Sequence, residues 1–161
     1  MANIAKLSYG TTTGSTWTSA GFTASDFNSR ADGSVVVATS ALDNDSGLDL
    51  EAEVSFSIEI GGTMSAASRF DLFILPLNRD GTTYGDNQAT GTTPPASSYW
   101  VASAGVKVGA TTGTAMVGTF PRVPLPAADF KFAIVNRTGA ALDSTAAAVV
   151  EYRTVNRNLN G

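Results

Sequence analysis

Residues 48–60, Leu48-Asp49-Leu50-Glu51-Ala52-Glu53-Val54-Ser55-Phe56-Ser57-Ile58-Glu59-Ile60, alternate apolar and polar side chains without interruption. Successive side chains of an extended chain point to opposite sides. Leu48, Leu50, Ala52, Val54, Phe56, Ile58 and Ile60 would therefore share a buried face, and Asp49, Glu51, Glu53, Ser55, Ser57 and Glu59 a wet one. A helix would scatter those carboxylates around its cylinder. The pattern predicts a long strand with one face on a core.

The rest of the chain reads the same way. Ser34–Thr39 is a short β-branched run after an Asp32-Gly33 turn signal. Arg69–Leu75 is apolar enough to be buried on both faces, with Pro76 ending it or placing it at an edge. Ser98–Val101, Gly105–Val108, Ala115–Phe120, Phe130–Asn136 and Ala147–Val155 complete about eight strands. Gly61-Gly62, Asp80-Gly81, Gly91 to Pro95, Thr111 to Gly113 and Thr138-Gly139 are turn chemistry between them. Only Ser25–Arg30 and Met64–Ser68 suit a helical turn. The fold expected is an all-β antiparallel sandwich of about eight strands, with an extended N-terminal arm.

Composition narrows function. The 161 residues include no cysteine and no histidine, and Asp+Glu 14 outweigh Lys+Arg 10 for a net charge of −4. Thiolate nucleophiles, sulfur-bound zinc, disulfides and the Ser-His-Asp triad are excluded. Lys6, Lys107 and Lys131 are scattered, which argues against nucleic acid. No apolar run approaches the roughly 18 residues of a membrane span. The N-terminus lacks a charged-then-apolar leader, so synthesis in a cytoplasm is expected. With charged residues at only 15%, the surface suits a protein partly covered by other protein.

Chemical candidates are few. Asp43-Asn44-Asp45-Ser46-Gly47 and Asp80–Asn87 carry enough oxygens for Ca²⁺, but neither has EF-hand spacing, and tight turns favour the same residues. Glu51, Glu53 and Glu59 share a strand face, with neighbours about 7 Å apart. Their plain reading is a solvated face rather than a glycosidase pair. No catalytic residue, cofactor or metal is assigned. Residues 1–33 form an irregular arm carrying Trp17, Phe22 and Phe27 about every five residues, a spacing that suits anchors on its own or a neighbouring subunit. The sandwich is assigned to 34–155, and 156–161 is a polar tail expected to fray. Residues 78–97 are a long exposed loop with Pro94-Pro95 as spacer, and Asn136 to Gly139 a hairpin turn into the last strand. Adjacent Tyr99 and Trp100 should point to opposite faces, so at most one of them lies in the core. The candidate interface residues are Tyr9, Trp17, Phe22, Phe27, Tyr84, Trp100 and Leu159.

Several pieces, taken in order, resemble jelly-roll decoration (cement) proteins of tailed bacteriophage capsids. They are Leu75-Pro76, Asp80-Gly81-Thr82-Thr83-Tyr84, Thr93-Pro94-Pro95-Ala96-Ser97, Val123-Pro124-Leu125-Pro126, Phe130-Lys131-Phe132 and Asn136-Arg137-Thr138-Gly139-Ala140. This resemblance spans residues 72–140 and implies a non-enzymatic virion protein on the outer capsid surface. Its partners would be the major capsid protein and copies of itself, as a trimer or dimer. The alternative is a tail or baseplate accessory that binds host glycan through exposed aromatic residues.

Overall fold

The computed structural model describes residues 6–9, 16–45, 48–107, 109–145 and 147–158, with 6–9 and 156–158 as backbone alone. Its strands are β1 (Lys6–Tyr9), β2 (Thr18–Ser19), β3 (Val35–Val37), β4 (Glu51–Ile60), β5 (Arg69–Pro76), β6 (Trp100–Gly105), β7 (Thr114–Pro124), β8 (Phe130–Arg137) and β9 (Val149–Asn158). All pairings are antiparallel. One sheet runs β1-β9-β4-β7, with β2 also on β9, and the other β3-β8-β5-β6. Because β1 and β2 pair with successive parts of β9, they form one interrupted edge, so eight lanes make two four-lane sheets. That order is the two-Greek-key arrangement of a jelly roll.

β4 alternates between buried and half-buried residues along its whole length. Its inward side chains, Val54, Phe56, Ile58 and Ile60, meet Phe70, Leu72, Ile74, Phe130, Phe132 and Ile134 of the opposite sheet. Leu48 and Leu50 are a correction: they lie before the strand, 58% and 65% exposed. Leu48 adopts φ 49°, a left-handed turn that breaks the extended chain at that point. Phe56 is the centre of the sandwich, with ring centroids 5.2 Å from Phe70 and 5.1 Å from Phe120. Gly118, directly across from Phe56, leaves the ring its space: a Cβ there would lie 2.5 Å from Phe56 Cζ.

Pro121 is tolerated because β7 is an edge, where no ladder bond is lost. Between Ala52 and Val54 the register slips by one residue, and Arg122 in this bulge takes φ 52°.

β5 is buried on both faces, as its apolar run predicts, and β8 is buried on both faces as well. Outward-facing Val35, Phe73, Leu75, Ala133 and Val135 form a second cluster, packed by Val37, Tyr84 and Tyr99. The 78–97 segment, exposed over much of its length as expected, is also a cover, since Tyr84, Gly85 and Pro95 turn in towards this cluster. Gly91 exchanges both backbone bonds with Val35 (2.8 and 3.0 Å), closing part of the β3 edge. Pro95 is buried, and Gly85 sits so close that a Cβ would lie 2.9 Å from Leu75 Cδ2. An outer face this apolar must be shielded, and this segment shields it.

Other expectations shift as well. Ser98–Val101 falls across a 3₁₀ turn at Ser97–Tyr99 and the start of β6. Of the expected Gly105–Val108 strand only Gly105 lies in β6, Val106 and Lys107 are irregular, and Val108 is outside the described residues. Among the described parts of 1–33, β1 and β2 pair with β9 and Phe27 is buried, while most of 20–33 is turns and irregular backbone packed on its own subunit. The backbone of 156–158 continues β9 against β1 instead of fraying. Ser25–Arg30 begins as a 3₁₀ turn at Ala24–Phe27, whereas Met64–Ser68 is an irregular turn.

Nor is Asn136 to Gly139 a hairpin, since β8 and β9 belong to different sheets. Asn136 is a buried polar hub instead. Its Nδ2 donates to the carbonyls of Arg30 (3.2 Å), Ala31 (3.2 Å) and Ala140 (2.8 Å). Its Oδ1 accepts from Thr138 N (3.1 Å) and Thr138 Oγ1 (2.7 Å). The amide thus ties the approach to β3 to the crossing from β8 to β9.

Two substitutions test this core. Gly118→Val should destabilise by about 2 kcal/mol through overpacking against Phe56. Asn136→Leu should cost about 3 kcal/mol, because the buried Thr138 N–H loses its acceptor and the carbonyls of Arg30, Ala31 and Ala140 each lose one of two donors. Denaturant unfolding with an unchanged slope would read both.

Candidate binding surfaces

The sequence-derived candidates separate by location. Phe22 and Phe27 pack within the subunit's own inter-sheet core, ring centroids 5.3 Å apart. The turn that carries Phe27 inward is held by Asp26, whose Oδ2 accepts from Thr23 N (2.7 Å) and Thr39 Oγ1 (2.9 Å). Trp17 is half-buried, with its ring centroid 4.6 Å from the Arg153 guanidinium. Arg153 in turn donates from Nε (2.8 Å) and Nη2 (2.6 Å) to Glu53 Oε2. Trp17 is thus an anchor on its own five-stranded sheet. Tyr9 lies in β1 opposite Val155, its side chain outside the described residues, as is all of Leu159.

Tyr84 packs on the outer cluster, with Lys131 Nζ 5.1 Å from its ring centroid. Tyr99 also packs there, because the 3₁₀ turn suspends strict strand alternation just before β6. Both rings are part of the cover. Among the described side chains of the sequence candidates, Trp100 is the one left open, 50% exposed at the start of edge strand β6. Among the described residues, therefore, the aromatic candidates do not converge on a common groove.

Around Trp100 the fold assembles a group that the sequence reading passed over. Asp71 is buried on the outer side of β5. Arg69 Nε lies 2.9 Å from its Oδ1, and Arg137 Nε lies 3.7 Å from its Oδ2. Ser103 Oγ donates to Asp71 Oδ1 and accepts from Trp100 Nε1 at 3.3 Å. Register creates the cluster: Asp71 lies opposite both Ser103 and Val135, and Arg69 opposite both Gly105 and Arg137. The available sequence signal was a carboxylate two residues after an arginine inside an otherwise apolar strand.

The acidic candidates are also placed. Glu53 is in its ion pair, and Glu59 Oε2 accepts from Ala147 N at 3.4 Å. Asp43 and Asp45 meet Asp129, with one oxygen from each within 4.8 Å of the others. Asn44 holds that loop in place: Nδ2 donates to the carbonyls of Asp49 (3.0 Å) and Pro126 (2.5 Å), and Oδ1 accepts from Asp49 N (2.9 Å). Burial, and then the charges of Asp49 and Asp43, push the nearby Tyr152 phenol up.

Asp80 belongs to the cover segment. Its Oδ1 accepts from Thr82 N and Thr83 N, both at 2.9 Å, and its Oδ2 from Thr83 Oγ1 at 2.5 Å. Thr83 Oγ1 accepts in turn from Asn78 Nδ2 at 2.9 Å, which also reaches the Gly85 carbonyl at 2.7 Å. The Thr83 hydroxyl first, then the backbone N–H groups of Thr83 and Thr82, hold the Asp80 carboxyl down to about 2.

Among the described residues no helix is long and apolar enough to cross a membrane. No family model matches the chain, and no match to it was found among curated proteins or solved structures.

The depressed Asp80 value has a signed consequence. The native state binds this proton less readily than the unfolded chain, so the contribution is complete above about pH 4 and is lost as pH falls towards 2. A carboxyl ¹³C titration should place the Asp80 midpoint near 2. Asp80→Ala should speed amide exchange across residues 77–85 while leaving β4 and β8 protected.

Proposed function

We propose that this chain is a structural, non-enzymatic virion protein of the capsid-decoration type. It sits on the outer surface of a bacteriophage head, bridges major capsid protein subunits, and self-associates as a trimer or dimer at a local symmetry axis. The observation carrying this reading is the sheet order, β1/β2-β9-β4-β7 against β3-β8-β5-β6, which is the arrangement that the resemblance of residues 72–140 implies. Bridging requires area and complementarity without chemistry. The outer face of the five-stranded sheet supports such a role. Val117 (71% exposed) and Val149 (50% exposed) flank Ser57 in one row across β7, β4 and β9, two exposed valines on a lightly charged chain. The acidic balance suits an outer shell surface, away from packaged DNA.

Cryo-electron microscopy of purified particles, with copy number from gel densitometry, tests the assignment. Copies on the shell in step with the major capsid protein support it, and copies confined to the tail overturn it. Particles lacking the protein should lose resistance to heat and osmotic shock yet still assemble. A double substitution, Val117→Glu with Val149→Glu, should lower shell occupancy by about tenfold if that row is the contact.

A further inference from the structure

We propose that the β6 edge of the four-stranded sheet is a binding site for a carboxylated sugar, with Trp100 as the stacking platform and Arg69 and Arg137 as the carboxylate receptor. This does not rest on the capsid reading.

The platform is preorganised. Trp100 is half exposed, yet its Nε1–H is held by Ser103 Oγ at 3.3 Å, which fixes the plane of the indole. Ser103 is itself fixed by donating to Asp71, so two hydrogen bonds join the ring to a buried carboxylate. An aromatic face already locked in place loses little freedom when a ligand stacks on it. The apolar C–H face of a pyranose fits such a surface.

Charge selects the ligand's second feature. One carboxylate, Asp71, lies between two guanidinium groups that are 46% and 38% exposed, leaving a net positive charge of one at this spot. Both contacts to Asp71 are made through Nε. Among the described residues no hydrogen bond uses the terminal nitrogens of Arg69 or Arg137, so both forks remain open to a bidentate acceptor. In a chain of net charge −4 this local excess is against the trend. The exposed Ser103 Oγ adds an oxygen acceptor for a sugar hydroxyl.

Space is available as well. Gly105 lies across from Arg69 on the edge strand, and a Cβ there would meet nothing within 4 Å. Ser103 and Gly105, both exposed on the same edge strand, keep that side of the indole free of bulky side chains. A single ring with one negative charge fits this edge better than a polyanion, and the chain's acidity opposes nucleic acid.

The test is an ¹H–¹⁵N titration of the intact protein that follows the indole N–H of Trp100. Galacturonate, glucuronate and N-acetylneuraminate oligosaccharides are the probes, with the methyl esters of the same sugars as neutral partners. At least one acidic probe should give saturable shifts with Kd on the order of 1 mM. Its ester should bind about tenfold more weakly, and Arg137→Gln should lower affinity for the acid by a similar factor. Trp100→Ala should abolish the response, read on the Ser103 and Gly105 amides, with the remaining spectrum showing an intact fold. Trp17→Phe should leave binding unchanged. Silence from all three acidic sugars overturns the proposal, as does equal binding of acid and ester. Trp100-dependent binding of an acidic peptide or a mononucleotide, with the sugars silent, would also overturn it.

Discussion

One buried amide sets the geometry between the two sheets. Asn136 closes β8 and reaches backwards to the carbonyls of Arg30 and Ala31 and forwards to that of Ala140. Those three carbonyls belong to the two connections that pass near this end of the sandwich. Each carbonyl also accepts a second hydrogen bond, from Leu142 N, Ser34 N and Thr138 Oγ1 respectively, so the amide acts as a shared second donor that binds the two connections to each other. Because Thr138 completes the network from the other side, the group is fully satisfied. A satisfied buried network specifies one arrangement of the crossings, and the pairing of β9 with β4 rather than β8 is consistent with that arrangement.

The second constraint is the two-sided apolar character of β5 and β8. A sheet buried on one face by its partner sheet and apolar on the other needs a third layer. In this chain that layer is a loop, held by the Asp80–Thr83–Asn78 turn at one end and the Gly91–Val35 pairing at the other. The cover stops at Tyr99. Beyond it the outer face becomes polar, with Arg69, Asp71 and Arg137 replacing Phe73 and Val135, and Trp100 is left at the boundary. Cover and open edge are two ends of one sheet face.

Strand identity was legible wherever a local pattern exists. β4, β5 and β8 follow from alternation or continuous apolarity, and Pro76 ends β5 where its missing N–H requires. Leu48 and Leu50 continue the same alternation yet lie outside the strand, because a left-handed backbone at Leu48 intervenes. The roles of Trp17, Phe22, Phe27 and Tyr84 were not legible. Aromatic residues on irregular segments have no period, so whether each fills its own core, covers a sheet or faces outward depends on where the loop lands.

By itself the sequence determined the all-β class, the principal strands, the two-faced burial of β5, and the exclusion of cysteine and histidine chemistry. These follow from side-chain type and period-two spacing, which act over a few residues. Tertiary structure alone decided that β8 and β9 part company, that residues 78–97 form a cover, and that Asp71 meets Arg137 and Ser103. Those partners lie 66 and 32 positions away in the chain. Only strand register sets their separation in space, and register depends on how both sheets pack at once.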